Sequence, residues 1–251
     1  GDPRSSIAIA ELTSALIIFN ILNKSKGMFH NHNFKNIIEL LPLIFLFQPK
    51  ALYILAYGWI DPVLVFSLIL FVYLFFFIKE KILAFFVLGV AICIKQYSIF
   101  LIPFLLRNKI IKLKDLLVSF VTILVLVLPF LIWNPKDFIF DLALYQYLTK
   151  PQGFFYVSVS FNTLWHELTN HDIPLQVVIP ISILILFYLL KIQKRSALNS
   201  TFIAASTLLL SIFLLSKIAF VHYYYFSASL ILLSIVVLIH ETSKVRGKLL
   251  T

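Results

Sequence analysis

The chain alternates long apolar runs with short clusters of lysine and arginine. Behind a polar turn at Gly1–Arg4, Ser5 and Ser6 can cap a helix that stays apolar to about Leu22. Asn23–Asn36 reads as a loop carrying Lys24, Lys26 and Lys35. Its two histidines, His30 and His32, have no carboxylate or cysteine beside them and read as solvated residues. Ile37–Tyr57 is long enough to cross a bilayer once, with a kink predicted at Pro49. Asp61 suits a helix cap and Pro62 a first turn, and that helix runs to about Ile78. Lys79-Glu80-Lys81 is a tight charged turn. Ile82–Ile94 and Tyr97–Leu106 follow, both too short to cross lipid alone and divided by Lys95-Gln96. After the basic stretch Arg107–Lys114 come crossings at Leu113–Trp133, Ile173–Leu190, Thr201–Ser216 and Ile218–Ile239. Asn134–Asp172 is the one long hydrophilic segment, with a short interfacial helix predicted over Asp141–Leu148. Lys244, Arg246 and Lys248 close the chain.

These runs do not alternate in the two-residue rhythm of a transmembrane barrel. The fold class is therefore all-α: a polytopic helical membrane protein of about nine hydrophobic helices, two of them short. Residues 1–251 read as a single membrane-embedded domain with a loop at 134–172. Composition agrees, since 61% of the chain is hydrophobic, whereas soluble domains lie near 45–50%.

Charge placement sets the topology. Basic loops gather on the cytoplasmic side of a membrane. If the clusters at 24–35, 79–81, 107–114, 191–195 and 244–248 share that side, an even number of crossings separates each from the next. One long helix over 82–106 breaks that parity. Two short helices turning at Lys95-Gln96 keep it, and are preferred. The carboxy terminus is then cytoplasmic, and the plasma membrane of a prokaryote is the expected location.

The net charge of +10 belongs to these anchors. No basic patch interleaved with aromatics stands outside them, so no nucleic-acid partner is expected. The single Cys93 excludes an internal disulfide. His166-Glu167-Leu168-Thr169-Asn170-His171 is not a zinc-protease motif, because its histidines are five apart rather than four. No metal ligands are assigned. No signal peptide is expected within these residues. The chain opens on Gly1-Asp2-Pro3-Arg4 rather than methionine, which suggests that an amino-terminal part precedes it.

The chemistry concentrates at the opposite face. Lys95 and Gln96 interrupt an apolar run, where a charge costs roughly 2.5–3.5 kcal/mol on insertion scales. Asp2 and Arg4, Gly58–Asp61, Lys95-Gln96, the 134–172 loop and Lys217–Tyr225 all fall on the side away from the basic loops. That face therefore offers carboxylates, cations and aromatic rings. Cations hold phosphates through charge-assisted hydrogen bonds. Carboxylates bind metals or activate hydroxyls. In the Lys217–Tyr225 stretch, His222 adds little as a membrane anchor and is a site candidate.

Several of these stretches resemble the GT-C superfamily of membrane glycosyltransferases, which use polyprenyl-phosphate sugars. Gly1-Asp2-Pro3-Arg4 is similar to a Gly-Asp-x-Arg helix opening in that superfamily. Gly58-Trp59-Ile60-Asp61-Pro62 is similar to a later Gly-Gln-x-Asp-Pro opening. Ala91-Ile92-Cys93-Ile94-Lys95-Gln96-Tyr97 resembles an Ala-x-x-x-Lys-Gln-Tyr-Pro run of mannosyl- and glucosyltransferases, with Ser98 in place of proline. The resemblance implies inverting transfer of a hexose from a polyprenyl-phosphate donor to a glycan, lipid or protein acceptor, outside the cytoplasm. It implies Arg4, Lys95, Gln96, Lys217, His222 and Tyr223 as donor contacts. The catalytic carboxylate is expected upstream of residue 1, which leaves Asp2 and Asp61 as the candidates within the chain. No cofactor is assigned, and a divalent cation is left open. The rival readings are a non-catalytic subunit that binds lipid-linked glycans, and a transporter or flippase. Transporters tend to show paired halves and midplane polar groups, neither of which is visible here.

Overall fold

A computed structural model describes residues 2–26, 32–48, 50–144, 158–193, 197–217 and 219–249. Among the described residues the chain is predominantly helical and contains no strand. The helices are α1 (Pro3–Lys26), α2 (His32–Leu46), α3 (Ala51–Tyr57) and α4 (Asp61–Val72), which continues as a π-helical turn over Tyr73–Ile78. Next come α5 (Lys81–Ile94), a 3-10 turn over Gln96–Phe100, α6 (Leu101–Arg107), and α7 (Leu116–Trp133) behind a 3-10 turn at Leu113–Asp115. The remainder are α8 (Pro135–Ile139), which runs into a π-helical turn at Phe140–Leu144, α9 (Phe161–Thr169), α10 (Leu175–Ile192), α11 (Leu198–Leu215) and α12 (Val221–Leu249). Among the described residues, seven spans, with α2 and α3 counted together, are long and apolar enough to cross a membrane. The protein is an all-α polytopic membrane protein.

Hydrocarbon provides no hydrophobic force between helices, so close packing and small residues hold them together. Gly89 of α5 lies so near α7 that a Cβ there would stand 2.7 Å from Thr122 Cβ. Ser119 of α7 donates to the Phe85 carbonyl of α5 at 2.6 Å. Ser206 of α11 donates to the Ser227 carbonyl of α12 at 2.8 Å. The core is filled by Ile18 and Leu22 of α1, Leu64 and Leu68 of α4, Leu88 of α5 and Phe226 of α12. By contrast, α7 and α10 turn most of their surface outward, as Phe120, Val125 and Leu184 show.

The turn at Lys95 is legible in the packing. Phe85 pairs with Ser119, and Gly89 with Thr122. Farther along, Ile92, Cys93 and Gln96 face Ile123, Leu126 and Val127. Positions rise together, so α5 and α7 are parallel. The segment between them therefore runs back, as the paired short helices require. Lys95 takes extended backbone angles, which end α5, and Ser98 closes the turn by donating to the Lys95 carbonyl at 2.9 Å.

The basic segments gather at one end. Ser25 lies 3.0 Å from His240, and the Phe77 and His240 rings are 4.5 Å apart. Arg107 donates to the Leu190 carbonyl and Asn108 to that of Ala197. The Leu198 amide donates to Glu241.

Several sequence-based boundaries move. Helix α1 begins at Pro3, and Asp2, rather than Ser5 or Ser6, accepts from the Arg4 amide at 2.9 Å. The two serines bond back to the carbonyls of Asp2 and Pro3. Asp61 is the first residue of its helix and Ile60 the cap, because the Asp61 carboxylate is engaged by α5–α6 instead of its own backbone. The loop expected at Asn23–Asn36 is shortened by helix at both ends, and His32 lies in α2. The segment 134–172 contains α8 and α9, so helix starts at Pro135 rather than Asp141, and His166 is helical rather than in a loop. Gly1, His30, Pro49, the cluster Tyr145-Gln146-Tyr147 and the remainder of the helix expected to Leu148 lie outside the described residues.

Candidate functional site

The end opposite the basic segments collects the polar groups. Helix α4 opens with Asp61, which is wholly buried. The Lys95 ammonium, from the turn after α5, donates to both its carboxylate oxygens at 3.0 and 2.9 Å. Tyr97 Oη, from the same turn, donates to Oδ1 at 2.7 Å. A buried carboxylate is tolerated when charge and hydrogen bonds both satisfy it, and here one turn supplies both.

Aromatic rings close the site from α12. Lys95 Nζ lies 5.3 Å from the Tyr223 ring centre and 5.6 Å from that of Tyr97, within cation–π range. His222 packs on Trp59 with ring centres 4.3 Å apart, and on Tyr223 at 4.4 Å. His222 Nδ1 is buried and has no hydrogen-bond partner among the described residues. Tyr223 stacks on Phe213 at 4.9 Å, so the α11–α12 turn and the Lys95 turn form one aromatic wall.

Four of the eight sequence-nominated residues therefore meet: Asp61, Lys95, His222 and Tyr223. The other four do not join them. Gln96 turns away and donates to the Leu142 carbonyl at 3.2 Å. Arg4 pairs with Asp2 on the exposed amino-terminal turn at 2.7 Å, and its hydrogen bond holds the Asp2 carboxyl below the usual range. Lys217 Nζ lies 2.9 Å from Asp172 Oδ2, and His166 Nδ1 lies 2.9 Å from the other oxygen of Asp172. Tyr97, Trp59 and Asp172 were not nominated. Tyr97 sits in the same Lys-Gln-Tyr run as Lys95 and could have been. Asp172 could not, since its partners come from other parts of the chain.

No family model, curated protein or solved structure matches this chain. The site must be read from its own geometry.

Beside the charged cluster lies an apolar groove of about 600 Å³ between α5 and α7. It is lined by Ile92, Cys93, Ile123, Leu126, Val127 and Phe130, and Gln96 stands on its wall. Phe138 and Leu142 of the segment after α7 border it as well. Among the described residues no three His, Cys, Asp or Glu side chains come together as a metal site. The arrangement thus joins an apolar slot to a turn bearing an amide, an ammonium and aromatic faces. That is the inventory for holding an amphiphile by its chain and its headgroup.

Proposed function

We propose that the protein is a membrane glycosyltransferase of GT-C type, which takes a hexose from a polyprenyl-phosphate donor at the face away from its basic segments. The observation that carries this reading is the junction at Lys95-Gln96 of an apolar groove with a charged, aromatic-walled turn. The isoprenoid chain lies in the α5–α7 groove, and its phosphate reaches Gln96 on the groove wall, at the edge of the turn that carries Lys95. Trp59, His222 and Tyr223 offer ring faces to the sugar. Asp61 holds Lys95 and Tyr97 in place and is a positioning residue, because both its oxygens are already engaged. That engagement is the observation favouring the second reading, a relative that binds lipid-linked sugar without transferring it.

The test uses the protein in nanodiscs with a fluorescent polyprenyl-phosphate hexose. Wild type binds the donor and, with a lipid or glycan acceptor, releases polyprenyl phosphate. Leu126→Trp fills the groove and abolishes binding, while Ile231→Trp, on an exposed face of α12, leaves it intact. Donor binding that survives Leu126→Trp unchanged overturns the assignment. Binding without turnover, over a panel of acceptors, selects the non-catalytic reading.

A further inference from the structure

A second slot lies on the other side of the bundle and shares no lining residue with the first. It consists of two cavities of about 230 and 200 Å³ that hold Leu175, Val178 and Ile212 in common. The deeper one runs between α10 and α11, past Ser182, Leu208 and Phe100 of the 3-10 turn, and is almost wholly apolar. The shallower one opens at the polar end of the bundle among Asn162, Asp172, Ser216 and Lys217. The walls therefore change from hydrocarbon-like to charged along a single channel.

The mouth is built as two fixed poles. Lys217 Nζ and Asp172 Oδ2 stand 2.9 Å apart, and their side chains are 15% and 32% exposed. Both are thus partly shielded yet reachable from the slot. Asn162 fixes the frame around them, accepting from the Ile173 amide at 2.9 Å and donating to the Leu215 carbonyl at 3.4 Å. His166 Nδ1 faces the second oxygen of Asp172 at 2.9 Å.

We propose that this slot is a lipid site for an aminophospholipid of the phosphatidylethanolamine type. One acyl chain lies between α10 and α11, and the headgroup inserts between the two poles: its phosphate takes Lys217 from Asp172, and its primary ammonium takes the place of Lys217 on Asp172 Oδ2. The charge pattern selects this headgroup. A purely anionic head satisfies Lys217 but sets a like charge against Asp172. A quaternary choline head has no N–H to donate to the carboxylate, so it forfeits the charge-assisted hydrogen bond that an ammonium makes. A zwitterion with a primary amine answers both poles at once. The site depends on no part of the donor assignment, and lipid held here would seat α10, which has little protein contact of its own.

Native mass spectrometry of the intact chain, released from micelles with equal amounts of phosphatidylethanolamine, phosphatidylcholine and phosphatidylglycerol, tests the site without any mutation. The ethanolamine lipid should be retained roughly tenfold over the other two, the ratio expected of one charge-assisted hydrogen bond. Asp172→Asn should bring ethanolamine down to the choline level and leave the glycerol lipid no weaker. Lys217→Gln should weaken all three lipids, because each carries the phosphate that Lys217 meets. Ser182→Leu, which fills the apolar part, should lower all three. Equal retention of the three lipids by wild type, or preference for the glycerol lipid, overturns the proposal. So does ethanolamine binding unmoved by Asp172→Asn in a variant whose thermal midpoint matches wild type.

Discussion

Removing Lys95 should damage the protein more than removing Asp61, although the two form one pair. Asp61 is fully buried, whereas the Lys95 side chain keeps 17% of its exposure. In Lys95→Met the carboxylate loses both ammonium contacts and retains only the Tyr97 hydroxyl. A buried charge stripped of its partner costs about 3–5 kcal/mol. In Asp61→Asn the amide oxygen still accepts from Tyr97, and the ammonium can turn to its open side. The cost is then that of a lost charged hydrogen bond, about 1.5–3 kcal/mol. The double variant Asp61→Asn/Lys95→Met leaves no charge in the site and should be more stable than Lys95→Met alone. For a chain of this length each kcal/mol moves the thermal midpoint by about 2–4 °C, so Lys95→Met should lose roughly 6–20 °C. Tryptophan-fluorescence melts in one detergent measure all four members of the cycle. Additive losses in the double variant, or an Asp61→Asn variant weaker than Lys95→Met, would refute the claim that burial of Asp61 is what demands the pair.

Gly89→Ala should cost about 1–3 kcal/mol by overpacking against Thr122 and the Ser119 carbonyl, visible as a lower thermal midpoint. Tyr225→Phe removes the hydroxyl that donates to buried Glu11 at 3.2 Å, and should cost about 1–3 kcal/mol. Adding Glu11→Leu to it should recover part of that loss in the same melt. In a Cys93→Ser background, a cysteine at Lys136 and one at Lys79 or Lys109 should label from opposite sides of sealed vesicles with an impermeant maleimide. Labelling from the same side would break the two-ended arrangement.

The helices and their direction were readable because hydrocarbon imposes length and lysine imposes sidedness. Parity of crossings alone turned the chain back at Lys95-Gln96, and the parallel run of α5 and α7 agrees. The gathering of Asp61, Lys95, His222 and Tyr223 followed from that topology. Partner choice did not. Lys95 finds its counter-ion 34 positions away, and the Lys217 contact with Asp172 spans α10 and α11. Gln96, adjacent to Lys95 in sequence, faces a different helix because extended backbone at Lys95 rotates successive side chains apart. Such pairings depend on which helix faces meet, and composition carries no record of that. Asp61 shows the same limit locally. Its place before an apolar run reads as a cap, yet a lysine and a tyrosine from another segment outbid the backbone amides for its oxygens.

The brevity of α5 sets where chemistry can happen. Its 14 residues rise only about 21 Å, against a hydrocarbon thickness of about 30 Å. Its neighbour α7 travels in the same direction and continues to Trp133, past the level of Gln96. The Lys95 ammonium therefore stands below the end of α7, level with Asp61 at the opening of α4. An anion that reaches it must pass along the flank of α7 and shed water on the way, which strengthens each charge interaction it makes there.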